Sequence, residues 1–190
     1  MKNNTAERKL PILTLESQEN LIDGVVMHRL KVNRDDRGTL VEALKSDWKD
    51  IFDPKLLPFA MQYYSITKPG VARDEDLWHF HQKQEDRFVT ILGSTIVAVY
   101  DARKNSKTHG VLNLFRQGEE NGDEGQYMLL IPIGTYHGFL AYGTKDAVLL
   151  NFPTRLYDPS DEGRILHEVA SVKLADDRPF SWQIVRDSLK

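Results

Sequence analysis

The sequence has 190 residues and carries 25 lysines and arginines against 28 aspartates and glutamates, a formal charge of −3 at pH 7. This length suits one domain, and the near-neutral charge argues against a nucleic-acid-binding protein, which usually presents a basic surface. The absence of cysteine excludes disulfides and thiolate metal sites. Because no apolar run approaches the ~20 residues of a membrane-spanning helix and no apolar signal segment is visible, we expect a cytoplasmic protein without a membrane partner.

Short apolar segments separated by turn residues run through most of the chain. Residues 1–22 are largely polar and predict an N-terminal arm, either disordered or lying on a partner subunit, before one domain over residues 23–190. Lys45–Phe52 and Asp161–Ala170 have the spacing of short helices. The regular spacing of the short strands predicts an all-β sandwich or barrel. The predicted strands are Val25–Val32, Thr39–Ala43, Ala60–Thr67, Arg87–Leu92, Ser94–Tyr100, Val111–Phe115, Tyr127–Ile131, Gly138–Tyr142 and Ala147–Phe152.

The densest polar cluster is a pair of histidines, His79 and His81, followed closely by Gln84, Glu85 and Asp86. Residues of a strand alternate between its two faces, so we expect His79 and His81 on the same face. Two imidazoles on one face can contribute to a metal site, or they can pair a catalytic base with a binding group. A single histidine is more often structural, but this alternation followed by polar residues favours a functional site.

A second cluster, Pro132-x-Gly134-x-x-His137, places a histidine directly after a turn fixed by proline and glycine. Its simplest interpretation is a hairpin turn with an incidental histidine. The first cluster already supplies the rest of a site, however, and this favours a site that joins His137 to His79 and His81.

Together the two clusters resemble the two motifs of the cupin superfamily. The resemblance implies an all-β fold, the double-stranded β-helix or cupin jelly roll, with few short helices and the site between two antiparallel sheets. Metal-binding cupins hold an ion with two histidines and a glutamate of the first motif and a histidine of the second. One alternative is therefore an enzyme that binds a divalent metal such as Fe, Mn, Ni or Zn. The matching residues are His79, His81, Glu85 and His137.

A longer resemblance, from about Asn33 to Trp182, is to the dTDP-4-dehydrorhamnose 3,5-epimerase family, a cupin-fold branch that works without a metal or other cofactor. It implies an epimerase or isomerase that acts on a dTDP-linked 4-keto-6-deoxy sugar in deoxysugar or polysaccharide biosynthesis, by proton abstraction next to the keto group. The motifs that carry it are Asp36-Arg37-Gly38, Pro69-Gly70-Val71-Ala72-Arg73, Trp78-His79-Phe80-His81, Tyr100-Asp101-Ala102-Arg103 and Tyr157-Asp158-Pro159-x-Asp161-Glu162-Gly163.

The same resemblance implies roles for individual residues. It places the catalytic base at His79, a residue type that titrates near neutral pH, and its carboxylate partner at Glu168. Arginine matches phosphate oxygens through its planar fork, which suits the diphosphate of a nucleotide sugar. The positions that match substrate- or nucleotide-binding residues are Arg37, Glu42, Gln62, Arg73, His81 and His137.

Two site positions depart from the family pattern. Asp86 replaces the family's catalytic lysine, so an anion stands where a cation is usual. Asn151 aligns with the family's proton-donating tyrosine, and an amide cannot donate a proton at neutral pH. Tyr142 and Tyr157 are nearby in sequence, and Tyr142 is the better candidate for the acid. Three alternatives stay open: a sugar-nucleotide epimerase or isomerase, which we favour, a metal-dependent cupin, and a catalytically inactive sugar-nucleotide binder.

The expected partners are a nucleotide sugar and a second copy of the chain. Jelly rolls leave exposed sheet edges, and dimerisation covers them. We therefore expect a homodimer that binds neither nucleic acid nor membrane.

Overall fold

The computed structural model describes residues 10–190, which form thirteen strands and two short α-helices in addition to a 3₁₀ segment at Glu119–Gly125. The strands are β1 (Val26–Arg29), β2 (Val32–Asp35), β3 (Gly38–Val41), β4 (Tyr63–Thr67), β5 (Ala72–Arg73), β6 (Leu77–His81), β7 (Asp86–Leu92), β8 (Ser94–Tyr100), β9 (Leu112–Gly118), β10 (Tyr127–Ile131), β11 (Tyr136–Tyr142), β12 (Ala147–Asn151) and β13 (Glu162–Leu166). The helices are α1 (His167–Ala170) and α2 (Trp182–Ser188).

The strands form two main antiparallel sheets. The first has the order β1-β10-β7-β12-β4, and the second has the order β13-β6-β11-β8-β9 with the short β5 added beside β11. From β9 onward, successive strands lie in alternate sheets, so the chain winds around a shared interior. This is the two-sheet, all-β architecture that the sequence predicts. β2 and β3 pair with each other as a separate hairpin.

The interior between the sheets changes from apolar to polar within single strands. On β11, Phe139 and His137 lie two residues apart and therefore share a face. Phe88 of β7, in the opposing sheet, packs edge-to-face against both rings, with centroid distances of 6.2 Å to Phe139 and 5.8 Å to His137. The apolar core thus ends where the histidine cluster begins, and Phe88 packs against both.

Two segments cover the outer faces of the sheets. Around Ile51, the loop after β3 packs on Val89 and Met128 of the first sheet. The sequence predicts a helix at Lys45–Phe52, and this is wrong, because the segment forms successive turns. Pro54 follows closely, and the residue before a proline avoids the helical conformation.

The C-terminal segment covers the second sheet. Ser181 caps the N-terminus of α2, because its Oγ accepts a hydrogen bond from the backbone N–H of Ile184 at 3.3 Å. The helix predicted over Asp161–Ala170 is confirmed only at α1, because the residues before it form β13 and pair with β6.

Part of the predicted arm lies outside the described residues, and the rest packs on its own domain. Leu13 donates its backbone N–H to Leu114 at 2.7 Å and accepts from Arg116 at 3.1 Å, so this segment runs beside β9. Leu10 and Leu13 are buried. Within residues 10–190, no helix is long and apolar enough to cross a membrane.

Candidate active site

A cavity of about 220 Å³ lies between the two sheets. Residues of both sheets line it, so a molecule bound there contacts opposite walls with its two faces. The second sheet contributes Arg73, His79, His137, Glu162 and Arg164, and the first sheet contributes Tyr63, Ser65, Asp86, Phe88 and Leu149.

Strand geometry brings three histidines together on one wall. His79 and His81 alternate on β6, and their rings lie 4.6 Å apart. β6 pairs with β11 in a register that sets His137 opposite His79, with 5.2 Å between the ring centroids. The chain thus places on one face the two histidine motifs that are more than 50 residues apart in sequence.

A chain of hydrogen bonds fixes which ring nitrogens carry hydrogen. His81 Nδ1 lies 3.2 Å from the carbonyl oxygen of Asp161, which only accepts, so Nδ1 is the protonated nitrogen and Nε2 carries the lone pair. His79 Nε2 lies 2.9 Å from His81 Nε2 and therefore donates to it. The remaining nitrogen of neutral His79, Nδ1, keeps a free lone pair.

The surroundings of His79 keep its ring neutral. Burial, together with the neighbouring His137 and His81, lowers the pKa of His79 to about 4. Glu162 Oε1 lies 3.9 Å from His79 Nδ1, close enough to stabilise the imidazolium once that nitrogen gains a proton. Arg164 binds the same carboxylate at 2.5 Å. His79 is therefore a neutral imidazole with a carboxylate 3.9 Å from its unprotonated nitrogen.

Asp86 organises the opposite wall. Its Oδ1 accepts hydrogen bonds from Gln84 Nε2 at 2.8 Å and Asn151 Nδ2 at 2.7 Å, and its Oδ2 lies 3.2 Å from His137 Nε2. Burial alone would raise the pKa of this carboxyl, but His137, His81 and Asn151 outweigh burial and lower it to about 2. Asp86 is thus an anion that links both walls.

Several lining residues were not predicted as site residues from the sequence, among them Glu162, Arg164, Tyr63 and Ser65. Glu162 takes the place expected of Glu168, and Tyr63 and Ser65 lie two residues apart on the inward face of β4. The hydroxyl of Ser65 is buried and has no hydrogen-bond partner in the described part of the chain. The alternation of Tyr63 and Ser65 in a predicted strand was the available signal.

Arg73 lies at the cavity, as the resemblance implies. Its Nε donates to Thr67 Oγ1 at 3.1 Å, and its terminal nitrogen donates to the carbonyl oxygen of Ile66 at 3.1 Å. These two contacts hold the guanidinium beside β4 and leave further N–H groups available for a ligand.

Glu168 is not the partner of His79. β13 ends at Leu166, so the chain has left the sheet before Glu168, which is exposed on α1. Glu168 lines a separate cavity of about 750 Å³ on the outer side of the second sheet, with His167 and Trp182.

Tyr142 also lies away from the cavity, although the sequence favours it as the acid. It follows His137 by five residues on β11, an odd number, so it points to the opposite face of the strand. Its hydroxyl donates to Asn121 Oδ1 at 2.7 Å, and Arg116 lies over its ring at 5.9 Å.

Of the four residues of the metal alternative, the three histidines lie together but Glu85 does not join them. Glu85 precedes Asp86 and points the other way, and its Oε2 accepts from Thr154 Oγ1 at 2.9 Å. Among residues 10–190, no group of three or more histidine, aspartate or glutamate side chains is arranged to hold a metal ion.

Three positions that the resemblance connects with the nucleotide lie on the surface of the single chain. Arg37 pairs with Asp35 at the tip of the β2–β3 hairpin. Glu42 is exposed and lies 3.6 Å from Lys45 Nζ, and Gln62 is exposed directly before β4.

Comparison with known proteins agrees with this fold. The sequence profile of the dTDP-4-dehydrorhamnose 3,5-epimerase family matches residues 19–182. The probable low-salt glycan biosynthesis epimerase Agl13 of Haloferax volcanii is 42% identical over 151 residues, 77% of this chain and 89% of that protein. The spore coat polysaccharide biosynthesis protein SpsL of Bacillus subtilis is 34% identical over 147 residues, 76% of this chain and 89% of that protein.

A solved structure confirms the jelly roll. The crystal structure of a dTDP sugar isomerase from Desulfovibrio desulfuricans superposes with a TM-score of 0.70 at 23% identity, over 91% of this chain and 96% of that one. The family match covers most of the sequence, and the two relatives are named as a probable epimerase of glycan biosynthesis and as a protein of polysaccharide biosynthesis. The chain therefore belongs to the dTDP-4-dehydrorhamnose 3,5-epimerase family.

Proposed function

We propose that the protein is an epimerase of a dTDP-linked 4-keto-6-deoxy sugar in glycan biosynthesis, acting in the cytoplasm without a metal. The observation that carries this proposal is the neutral His79, whose free Nδ1 lone pair lies in the cavity beside Glu162. Such a group removes a proton from carbon more readily than a protonated ring, because it can accept the proton at pH 7.

The chemistry begins with the acidic proton beside the keto group of the sugar. His79 takes this proton on Nδ1, and the electrons of the C–H bond move into an enolate. The positive charge that forms on the ring faces the Glu162 carboxylate, which lies 3.9 Å away and is already held by Arg164. Burial opposes ionisation of Glu162, but the hydrogen bond from Tyr157 and the charge of Arg164 outweigh it and lower the pKa of this carboxyl. Glu162 is therefore ionised at pH 7.

The diphosphate of the nucleotide is assigned to Arg73. Its guanidinium lines the cavity and is fixed by Thr67 and the carbonyl of Ile66, so it is positioned before a ligand arrives. A planar guanidinium matches two phosphate oxygens at once. Arg73 would then orient the sugar toward His79 from the second sheet.

A homodimer supplies the remaining expected contacts. β4 is an edge strand with no further strand beside it among the described residues, and its outward Tyr64 and Ile66 are exposed. Exposed apolar residues along an open edge favour pairing with a second copy. Arg37 lies outside the cavity of its own chain, so its implied role at the phosphate would be played in the cavity of the other subunit.

The function is tested by incubating dTDP-4-keto-6-deoxyglucose with the protein in deuterium oxide and measuring deuterium incorporation by mass spectrometry. We expect incorporation by the parent to survive EDTA and to fall at least about 100-fold in His79→Asn. His109→Asn, which changes an exposed histidine, is the matched control and should behave like the parent.

Two results would contradict this proposal in different ways. Loss of incorporation with EDTA and its return with added divalent metal would favour the metal-dependent cupin. Tight dTDP binding with no incorporation by the parent would favour the inactive sugar-nucleotide binder.

The dimer is tested separately by mixing His79→Asn with Arg37→Ala. Recovered activity in the mixture supports shared sites, and a monomer in light scattering contradicts them.

A further inference from the structure

The wall opposite His79 carries a phenol. His79 lies on β6 of the second sheet, and Tyr63 lies on β4 at the edge of the first, and both line the same cavity. A sugar ring between the sheets presents one face to each residue. We propose that Tyr63 donates the proton that returns to the sugar carbon on the face opposite His79, an inference that rests on the epimerase function proposed above.

The hydrogen bonds around Tyr63 leave its own hydrogen free. Asn151 is its register partner on β12, and Asn151 Nδ2 lies 2.9 Å from the phenolic oxygen. The amide orientation is fixed, because Asn151 Oδ1 accepts from the backbone N–H of Arg87 at 3.0 Å and Nδ2 also donates to Asp86 at 2.7 Å. The phenolic oxygen is therefore an acceptor in this bond, and within residues 10–190 no side chain or carbonyl accepts its hydrogen.

The phenol is also in the protonation state that a donor requires. The Tyr63 side chain is 45% exposed in the single chain, but its hydroxyl is turned toward Asn151 and Asp86. Partial desolvation there, with the nearby negative charge of Asp86, raises the pKa of Tyr63 to about 12. Tyr63 thus carries its proton at pH 7, whereas His79 on the other wall is neutral and lacks one at Nδ1. His79 can therefore accept a proton on one wall, and Tyr63 can donate one on the other. Inversion of a carbon centre by proton transfer requires such a pair.

The other phenols of this region do not meet these conditions. Tyr157 is 67% exposed, and its hydroxyl donates to Glu162 at 3.0 Å. Tyr142 donates to Asn121 on the other face of β11. Asn151 stands beside Tyr63 and has no proton to give at pH 7, but it holds the phenolic oxygen in place.

The proposed step conserves every proton. His79 Nδ1 takes the proton of the carbon beside the ketone, and the C–H electron pair forms the enolate double bond while charge moves to the keto oxygen. The enolate carbon then takes the Tyr63 proton on its other face, and the ketone forms again. The resulting tyrosinate regains a proton from solvent and the imidazolium releases one to solvent, so the enzyme returns to its starting state.

The test compares Tyr63→Phe with Tyr64→Phe. Both variants remove one hydroxyl from β4, but Tyr64 is 64% exposed on the outward face and serves as the matched control. Each is incubated with dTDP-4-keto-6-deoxyglucose in deuterium oxide, and two quantities are measured: deuterium incorporation, which needs the base, and formation of the inverted sugar, which also needs the donor.

We expect Tyr63→Phe to keep deuterium incorporation and dTDP affinity and to lose inverted product by about 100-fold or more, while Tyr64→Phe matches the parent. Retained incorporation shows that the variant is folded. Inverted product at the parent rate in Tyr63→Phe would overturn the donor role alone. Loss of incorporation together with product, at unchanged dTDP affinity, would also overturn it, because Tyr63 would then act in proton removal. Absence of both activities in the parent would overturn the epimerase function itself.

Discussion

On the outward face of β6, Trp78 is fully buried among aromatic rings, whereas on the inward face His79 lines the cavity and His81 is buried beside it. Trp78 packs against Phe180 at a centroid distance of 4.4 Å and against His167 at 5.0 Å, beneath the C-terminal segment. The usual order of a β-sandwich, apolar inside and polar outside, is reversed along this strand. The reversal lets the strand be anchored from outside while its inner face is left for chemistry.

The largest loss of stability is expected from a substitution on the outward face of β6. Trp78→Ala should lower the free energy of unfolding by about 3–5 kcal/mol, because a large buried side chain is lost and a cavity remains. Denaturant titration measures this effect, and His79→Asn at pH 7 is the comparison from the inward face. A smaller loss in Trp78→Ala than in His79→Asn would contradict the division between the two faces.

On the inward face of β6, the lowered pKa of His79 should make the free energy of unfolding depend on pH. Above pH 6.5, His79 is neutral in both folded and unfolded chains. As the pH falls toward 4, the unfolded chain takes up a proton that the folded chain does not, so the parent loses up to about 3 kcal/mol through this residue. His79→Asn lacks this loss, so the stability difference between the two proteins should change in the variant's favour between pH 6.5 and 4. Parallel curves would contradict the lowered pKa.

Asp86, the first residue of β7, and Glu85, directly before it, point in opposite directions and allow a second comparison of the inward side with the outward side. Asp86→Asn places an amide against the N–H donors of Gln84 and Asn151 and should cost about 2–3 kcal/mol of unfolding free energy. Glu85→Gln, the control, keeps an acceptor for Thr154 and should cost less than about 1 kcal/mol. Calorimetric melting of both variants compares the Asp86 network with the partly buried Glu85–Thr154 contact. Equal losses of unfolding free energy would contradict the greater contribution of the Asp86 network.

A smaller effect is expected on the affinity for dTDP when the arginine assigned to its diphosphate is removed. Arg73→Ala should weaken dTDP binding by about 1.5–3 kcal/mol, the usual range for a hydrogen bond to a charged group. Titration calorimetry measures this directly, and Arg29→Ala, an exposed arginine paired with Glu124, is the control. Unchanged affinity in Arg73→Ala would remove Arg73 from the binding site.

The local pattern of the sequence was enough for the all-β fold and for the shared face of His79 and His81, since strand alternation acts over two residues. Long-range register was harder to predict. Glu162 and Glu168 are both in the same predicted segment, and only the pairing of β13 with β6 decides which one reaches His79. The proposed donor Tyr63 was not predicted for the same reason, because its contact with Asn151 depends on the pairing of β4 with β12.

The most direct test of the central claim is the rate of deuterium incorporation into dTDP-4-keto-6-deoxyglucose at pH 7 and at pH 5.5, measured as kcat/KM. A His79 with a pKa of about 4 is almost wholly neutral at both values, so the account predicts nearly equal rates. An unperturbed histidine, with a pKa of about 6.5, would be about one-tenth neutral at pH 5.5. A fall of about tenfold between the two pH values, or a rate that His79→Asn leaves unchanged, would contradict the assignment of His79 as the neutral base.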